Sequence, residues 1–155
     1  MAPAFLANMA PPFVKYWKGW NRPISARWLG SHKTVMGFVL GIGVAVIATL
    51  AQSLIHWRGG LLSYSWWPLL GLRFGVGAMA GDSIKSAFKR RLGIAPGRPW
   101  IPADQLDYVL GALAMVWNEV RLSTVDLTLI LGLSLAGHFA VSRIGFWMGV
   151  RDVKF

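Results

Sequence analysis

A long uncharged run from Met36 to Ile55 is the strongest constraint that the sequence places on the fold. A helix needs about 20 apolar residues to cross the hydrocarbon layer of a bilayer, and this run is long enough. Hydrophobic residues make up 55% of the 155-residue chain and charged residues only 14%, whereas soluble domains carry roughly 25% charged residues. The sequence therefore predicts an all-α integral membrane protein.

Two further long segments predict membrane spans that contain ionisable residues. Leu61 to Ala80 is apolar except for Arg73, and Leu127 to Val150 is apolar except for His138 and Arg143. An ionisable side chain within a span faces the bundle interior or a wet cavity, because lipid cannot solvate it. We expect Arg73 to snorkel toward the interface, and the alternative is that it finds a partner. A lone helix histidine is more often structural, so the role of His138 stays open.

Two weaker segments bring the predicted number of spans to five. Ala2 to Val14 is short and broken by prolines, and Asp107 to Leu122 contains polar residues. With these segments, the sequence predicts about five transmembrane helices in a single multi-pass domain, residues 1–155. Its polar loops would lie in the cytoplasm at about residues 15–35 and 81–104.

Glycine spacing predicts close packing between helices. Gly37 and Gly41 are four residues apart, as are Gly71 and Gly75. Small residues at this spacing lie on one helix face and let two backbones approach each other. This is a packing signal and carries no functional information.

Positive charge predicts the orientation in the membrane, because cytoplasmic loops carry an excess of Lys and Arg. The loop between the first two spans contains Lys15, Lys18, Arg22, Arg27 and Lys33. The stretch after the third span contains Lys85, Lys89, Arg90, Arg91 and Arg98. The opposite side has only Arg58 and Arg121. The N-terminus is therefore predicted outside the cell membrane, with both polar loops and the C-terminus in the cytoplasm.

The net charge and the absence of cysteine limit the chemistry. The formal charge is +10 at pH 7, but nucleic-acid binding needs a soluble fold with a basic face, which the apolar runs disfavour. The chain contains no cysteine, which excludes disulfide frameworks, thiolate zinc sites and thiol nucleophiles. The chemistry must depend on oxygen ligands and cationic side chains.

Residues 81–108 gather three of the six acidic residues of the chain, Asp82, Asp104 and Asp107. If the third helix continues past Ala80, one of its faces carries Asp82, Ser86, Lys89 and Arg90. Asp104 and Asp107 are three residues apart and are also neighbours on one helix face. Because consecutive membrane helices are antiparallel, the three carboxylates can meet at one cytoplasmic mouth.

Three adjacent carboxylates repel one another, so the site would raise a pKa or recruit a divalent cation. Mg²⁺ favours a few carboxylates together with phosphate oxygens. The neighbouring cations that would neutralise a triphosphate are Lys33, Lys85, Lys89 and Arg90. This set of side chains predicts nucleotidyl transfer to a lipid phosphate, an acceptor that needs no serine, cysteine or histidine nucleophile.

Other interpretations of the same residues stay open. Asp82 can pair with Lys85 and Ser86 within its own helix, and acids in a first turn such as Asp104 complement the helix dipole without a metal. A basic juxtamembrane segment also attracts anionic lipid. The alternative function is then a non-catalytic membrane scaffold.

Several pieces of the sequence resemble the cytoplasmic signature of CTP-dependent lipid cytidylyltransferases. In the second polar stretch these are Gly81-Asp82, Ser86-Ala-Phe-Lys89-Arg90, Pro96-Gly97 and Asp104-Gln105-Leu106-Asp107. Near the N-terminus they are Ala7-Asn8-Met9 with Pro11, and Gly30-Ser31-His32-Lys33-Thr34 followed by Gly37. This version is most similar to the CDP-archaeol synthase family, and the resemblance covers nearly the whole chain.

The resemblance implies five transmembrane helices and a Mg²⁺-dependent reaction in membrane phospholipid biosynthesis. CTP and 2,3-bis-O-(geranylgeranyl)-sn-glycerol 1-phosphate would give CDP-archaeol and pyrophosphate. It implies that the metal ligands are Asp82, Asp104 and Asp107, which with Lys89 form the catalytic set. The implied CTP and phosphate ligands are Asn8, Lys33, Thr34, Lys85, Ser86, Lys89 and Arg90.

The chain also departs from related patterns. Ser142 and Arg143 follow His138 where an asparagine is expected. The Lys-Asp pair and His-Gly-Gly run of the larger phosphatidate cytidylyltransferases are absent between Arg91 and Asp104. The archaeol type is therefore favoured, with a phosphatidate-type enzyme making CDP-diacylglycerol as the alternative.

Overall fold

The fold consists of helices throughout the part of the chain that the structure describes. A computed structural model describes residues 1–26, 28–31, 33–55, 62–95, 98, 100–120 and 122–147. The α-helices are α1 (Ala2–Met9), α2 (Val35–Ile55), α3 (Trp67–Arg91), α4 (Ala103–Val116) and α5 (Thr124–Trp147). Two 3₁₀ helices follow α1 and α4, at Pro11–Tyr16 and Trp117–Glu119. Within these residues, β structure is limited to an isolated antiparallel bridge between Pro23 and Thr34.

Two helices in the described residues are long and apolar enough to cross a membrane. They are Val35–Ile55 and Thr124–Val141, which correspond to the second and fifth predicted spans. Little of either segment is buried inside the protein, so most of their apolar side chains are available to lipid. The all-α prediction is confirmed, and the number of five spans stays a prediction.

The third helix extends beyond its predicted span, as the polar face requires. It begins at Trp67 rather than Leu61, with Pro68 in its first turn, where a proline is tolerated. It continues through Ala80 to Arg91 and has 25 residues, which corresponds to roughly 38 Å. This exceeds the roughly 30 Å hydrocarbon layer, so the charged end of α3 can project into water.

The first and fourth helices are shorter than the predicted spans. α1 has 8 residues and α4 has 14, or roughly 12 Å and 21 Å of helix. Pro11 and Pro12 lack the N–H groups that would continue α1, and the chain proceeds as a 3₁₀ helix instead. The sequence pattern predicted the approximate position of both helices but overestimated the number of residues in each helix.

Helix α3 is the centre of the bundle and packs against α1, α2 and α4. The core includes Phe74 and Met79 of α3 and Tyr108 and Val109 of α4, which are almost fully buried. Gly75 faces α2 so closely that an added Cβ would lie 2.8 Å from the Cα of Ile42. The close packing predicted from the glycine spacing is therefore confirmed for α3.

Arg73 has a partner at the end of the bundle away from the basic residues. Its guanidinium forms an ion pair with the carboxylate of Glu119, in the 3₁₀ helix after α4. Both side chains are partly exposed, at 33% and 44%. Arg73 thus has an acidic partner in the next helical segment, which was the alternative to snorkelling.

Candidate active site

Helices α3 and α4 approach closely where they carry the acidic residues. An added Cβ at Gly77 would lie 2.6 Å from the carbonyl oxygen of Gly111, and one at Gly81 would overlap the carbonyl oxygen of Asp107. Only glycine lets the two backbones come this close. The contact places Asp107 of α4 beside the turn of α3 that carries Asp82.

The ammonium group of Lys85 joins the three predicted acids. Its Nζ lies 3.2 Å from Oδ1 of Asp82, 2.9 Å from Oδ1 of Asp104 and 2.8 Å from Oδ2 of Asp107. The Lys85 side chain is only 15% exposed. The structure therefore brings the three carboxylates around one cation, so Asp82 does not pair only within its own helix.

Lys89 and Trp100 hold Asp104 in position. Lys89 is buried, and its Nζ donates hydrogen bonds to both carboxylate oxygens of Asp104, at 3.0 and 3.1 Å. The same ammonium donates to the carbonyl oxygen of Arg98 at 2.6 Å, and the backbone N–H of Trp100 donates to Oδ2 of Asp104 at 2.6 Å. These bonds tie Arg98 and Trp100, which lie between α3 and α4, to Lys89 and Asp104.

Lys33 brings the first polar loop to the same place. Its ammonium forms an ion pair with the carboxylate of Asp82. The backbone around it is fixed, because Ile24 N–H donates to the carbonyl oxygen of Lys33 at 2.8 Å and Val35 N–H donates to that of Arg22 at 3.0 Å. The two polar segments therefore meet at one end of the bundle. We call Lys33, Asp82, Lys85, Lys89, Asp104 and Asp107 the charged cluster.

Burial and neighbouring charges shift two pKa values in the charged cluster. Burial lowers the pKa of Lys33 to about 8, and the positive charges of Lys85 and Lys89 act in the same direction against the acids Asp107 and Asp104. For Asp104, which precedes the predicted fourth span, burial favours a higher pKa. Bonds from Lys85, Trp100 and Lys89 outweigh burial and lower the pKa of Asp104. Asp104 is thus held as a carboxylate, and Lys33 titrates near physiological pH.

Two cavities border the charged cluster. The polar cavity has a volume of about 510 Å³, and its polar lining consists of Asn8, Lys15, Asn21, Ser31, Lys33, Thr34 and Asp82. The apolar groove between α3 and α4 has a volume of about 540 Å³, and its walls include Ile84, Phe88, Trp100, Leu106 and Leu110. Lys85 and Asp107 also line the groove. The charged cluster therefore borders both the polar cavity, through Lys33 and Asp82, and the apolar groove, through Lys85 and Asp107.

The remaining predicted residues have other partners in this structure. Ser86 is buried, and its hydroxyl donates to the carbonyl oxygen of Asp82 at 2.8 Å. Arg90 donates to the carbonyl oxygen of Ile94. Thr34 Oγ1 accepts a hydrogen bond from Gly37 N–H at 3.2 Å, which caps α2 while Thr34 still lines the polar cavity. Asn8 lines the cavity as well.

Sequence reasoning missed part of the cavity wall. Lys15, Asn21 and Ser31 line the polar cavity, but they are not among the predicted site residues. A polar residue in a basic loop is not distinctive, and only the fold of the loop brings these exposed side chains to the cavity wall. Two pieces of the motif, His32 and Pro96-Gly97, lie outside the described residues.

The donor chemistry of the cluster fits Mg²⁺, because its acids offer only hard oxygen ligands. Asp107 Oδ2 is buried and accepts no hydrogen bond from the described residues, although Lys85 Nζ lies 2.8 Å away. No three acidic or histidine side chains among the described residues are arranged to hold a metal ion together. Lys85 lies between the three carboxylates and, together with Lys33 and Lys89, balances their charge in this structure.

Comparison with known proteins identifies the family. The profile of the CarS-like CDP-archaeol synthase family matches residues 20–155. The chain belongs to the CDP-archaeol synthase family. The CDP-archaeol synthase of Methanosphaerula palustris is 37% identical over the full length of both chains. That of Aeropyrum pernix is 34% identical, covering 100% of this chain and 88% of its own.

A solved structure supports the same conclusion. An intramembrane enzyme for archaeal membrane lipid biosynthesis superimposes with a TM-score of 0.69 at 30% identity. The match covers 91% of this chain and 89% of that one. Membership of the CDP-archaeol synthase family confirms the resemblance found in the motifs. It also establishes that the chain is a membrane-located enzyme of the nucleotidyltransferase class, acting in lipid biosynthesis.

Proposed function

We propose that this chain transfers the cytidylyl group of CTP to 2,3-bis-O-(geranylgeranyl)-sn-glycerol 1-phosphate, giving CDP-archaeol and pyrophosphate. The observation that carries the proposal is the position of the charged cluster at the border of both a polar cavity and an apolar groove. A water-soluble nucleotide and a lipid phosphate can reach such a cluster from these two cavities. Family membership supports the same reaction.

Each substrate has a cavity of matching polarity. CTP would occupy the polar cavity, where Asn8, Lys33 and Thr34 offer an amide, an ammonium and a hydroxyl. The lipid chains would lie along the apolar groove, whose walls are aromatic and aliphatic. Lys85 and Asp107 face that groove, so the lipid phosphate would be positioned at the charged cluster.

The chemical step needs positioning and charge stabilisation. An oxygen of the lipid phosphate forms a bond to the α-phosphorus of CTP, and the bond from the α-phosphorus to the bridging oxygen breaks. The electron pair leaves on pyrophosphate. The acceptor is already an oxyanion at neutral pH, so no side chain has to remove its proton. Lys33, Lys85 and Arg90 would stabilise the charge that develops on the phosphates, and Lys89 would keep Asp104 in place.

Mg²⁺ belongs to the proposal as the ion that Asp82, Asp104 and Asp107 would hold. When bound, it supplies positive charge that neutralises the triphosphate and the leaving pyrophosphate. The oxygen-only donor set and the buried Oδ2 of Asp107 support this assignment. Ser86 would then act by fixing the end of α3 through its bond to the Asp82 carbonyl.

We also propose a topology for the single multi-pass domain, residues 1–155. Five segments, corresponding to α1 to α5, would enter the bilayer, with the N-terminus outside and the C-terminus in the cytoplasm. The ion pair between Lys33 and Asp82 supports this arrangement, since it joins the two basic segments at one end of the bundle. The pair between Arg73 and Glu119 lies toward the other end.

Purified protein in detergent would test the reaction. The assay uses radiolabelled CTP with a panel of ether-linked and ester-linked lipid phosphates, with Mg²⁺ or with a chelator. We expect product from the ether lipid with Mg²⁺ and none with the chelator. Conversion of only the ester phosphatidate would refute the proposed substrate, and no conversion of any lipid would refute the proposed reaction.

A further inference from the structure

The described residues between α1 and α2, within 11–34, carry both polar and large aromatic side chains. Lys15 and Asn21 belong to the wall of the polar cavity. The large aromatic side chains of the same segment are half exposed or more, namely Phe13, Tyr16, Trp17, Trp20 and Trp28. Tyr and Trp side chains at such a density are typical of the boundary between a bilayer and water. We call this segment the aromatic loop.

A second apolar groove lies between the aromatic loop and α2. Its volume is about 410 Å³, and its walls are almost entirely apolar, with Phe13 and Trp17 on one side and Met36 and Val39 on the other. Val39 is 57% exposed and lies in a candidate membrane span. The groove therefore opens on the side of α2 that meets the bilayer.

The charge beside this groove is positive. Lys15 Nζ lies 4.9 Å from the centre of the Tyr16 ring, which itself lines the groove, and Lys18 is exposed directly after Trp17. The first acidic residue of the chain is Asp82. A ligand with an apolar chain and an anionic head complements these features, and juxtamembrane lysines attract such lipids.

We propose that the groove between the aromatic loop and α2 binds an anionic phospholipid of the bilayer. One of its chains would lie in the groove, with its headgroup against Lys15 and Lys18. The lipid is not the substrate, because none of Asp82, Lys85, Asp104 and Asp107 lines this groove. Since the groove shares Val14 with the polar cavity, a bound lipid would hold the loop that forms the cavity wall.

Native mass spectrometry of the purified full-length protein tests the proposal without catalysis. The protein is titrated separately with phosphatidylglycerol and with phosphatidylcholine of the same chain length. Val39→Trp fills the groove. Leu133→Trp is the matched control, because Leu133 is 71% exposed on α5, away from the groove. Lys18→Gln removes one positive charge at the proposed headgroup position.

We expect one retained phosphatidylglycerol in the wild type and in Leu133→Trp, with at least a tenfold loss in Val39→Trp. Lys18→Gln should reduce the preference for phosphatidylglycerol over phosphatidylcholine by about fivefold. Equal retention of both lipids by the wild type, or an unchanged preference in Lys18→Gln, would overturn the proposal. Displacement of the retained lipid by the substrate lipid phosphate would identify the groove as part of the substrate site and also overturn it. These readouts remain valid if the proposed reaction fails.

Discussion

Replacing Gly81 with alanine should separate α3 from α4 and displace the carboxylate of Asp107, a proposed metal ligand. The new Cβ would overlap the carbonyl oxygen of Asp107 and lie 2.9 Å from its carbonyl carbon and 3.2 Å from the Cα of Gly111. All three are backbone atoms, which cannot rotate away. Ordinary carbon contacts lie at about 3.5–4.0 Å, so α4 must move by roughly 1 Å. Asp107 moves with it, away from Lys85.

A displacement of about 1 Å at a catalytic group can reduce the rate about 100-fold. We therefore expect Gly81→Ala to lower kcat by about two orders of magnitude. Overpacking lowers the free energy of unfolding by roughly 1–3 kcal/mol, so we expect the variant to remain folded with a lower Tm. Initial rates with radiolabelled CTP and a thermal unfolding curve in the same detergent would measure both quantities.

Gly43→Ala in α2 is the control for this experiment. A Cβ at Gly43 meets no atom within 4 Å, and alanine stabilises a helix interior by roughly 0.5–1 kcal/mol relative to glycine. The control should keep the wild-type kcat with an equal or higher Tm. A folded Gly81→Ala variant with wild-type kcat would refute the link between helix separation and catalysis.

Four further predictions follow from the charged cluster and from the opposite end of the bundle. Asp104→Asn and Asp107→Asn should each lower kcat by at least about 10–100-fold while the protein remains folded, because a lost carboxylate weakens metal binding; wild-type rates in either variant would count against the site. Lys85→Met should weaken CTP binding and, without CTP, strengthen Mg²⁺ binding measured by calorimetry, since the competing ammonium is gone; weaker Mg²⁺ binding would contradict this. The pKa of Lys33 is lowered to about 8, so its ammonium loses its proton as the pH rises through 8. CTP affinity should then fall between pH 7 and 9 in the wild type but not in Lys33→Arg, and parallel pH profiles would exclude Lys33 as a phosphate ligand. Glu119→Gln breaks a partly exposed ion pair and should lower the free energy of unfolding by at most about 1 kcal/mol, with unchanged kcat. A large drop in kcat would show that this end of the bundle takes part in catalysis.

The features that could be predicted from the sequence are those set by local pattern. The apolar run from Met36 to Ile55 predicted α2, because the length of a membrane span depends only on consecutive residues. The three- and four-residue spacing after Ala80 predicted the polar face of α3, and the helix does continue to Arg91. Clustered basic residues suggested that the two polar segments share one side, and the ion pair of Lys33 with Asp82 joins them.

The central position of Lys85 could not be predicted in the same way. Spacing tells which residues share a face of α3, but not how closely α4 approaches that face. The approach depends on Gly77 and Gly81 of α3 meeting Gly111 of α4. This contact requires glycines of two different helices to face each other, which spacing within one helix does not reveal. The spacing of Gly71 and Gly75 predicts packing from sequence alone because both glycines lie in one helix. The predicted ends of α1 and α4 were wrong because the average hydrophobicity of a segment does not show at which residue regular helical hydrogen bonding stops.

The formal charges in the cluster favour a divalent cation as part of the proposed reaction. Asp82, Asp104 and Asp107 carry three negative charges when ionised, and three lysines supply at most three positive ones. The cluster is thus close to neutral before any substrate binds. Near pH 8, partial deprotonation of Lys33 lowers the total positive charge of the cluster further. CTP brings about four more negative charges into a partly buried space, where unbalanced charge is costly. Lys85 cannot balance them while it contacts three carboxylates. Positive charge that enters with the nucleotide would balance the cluster, and the proposed Mg²⁺ ion would supply it, since Mg²⁺ favours carboxylate and phosphate oxygens.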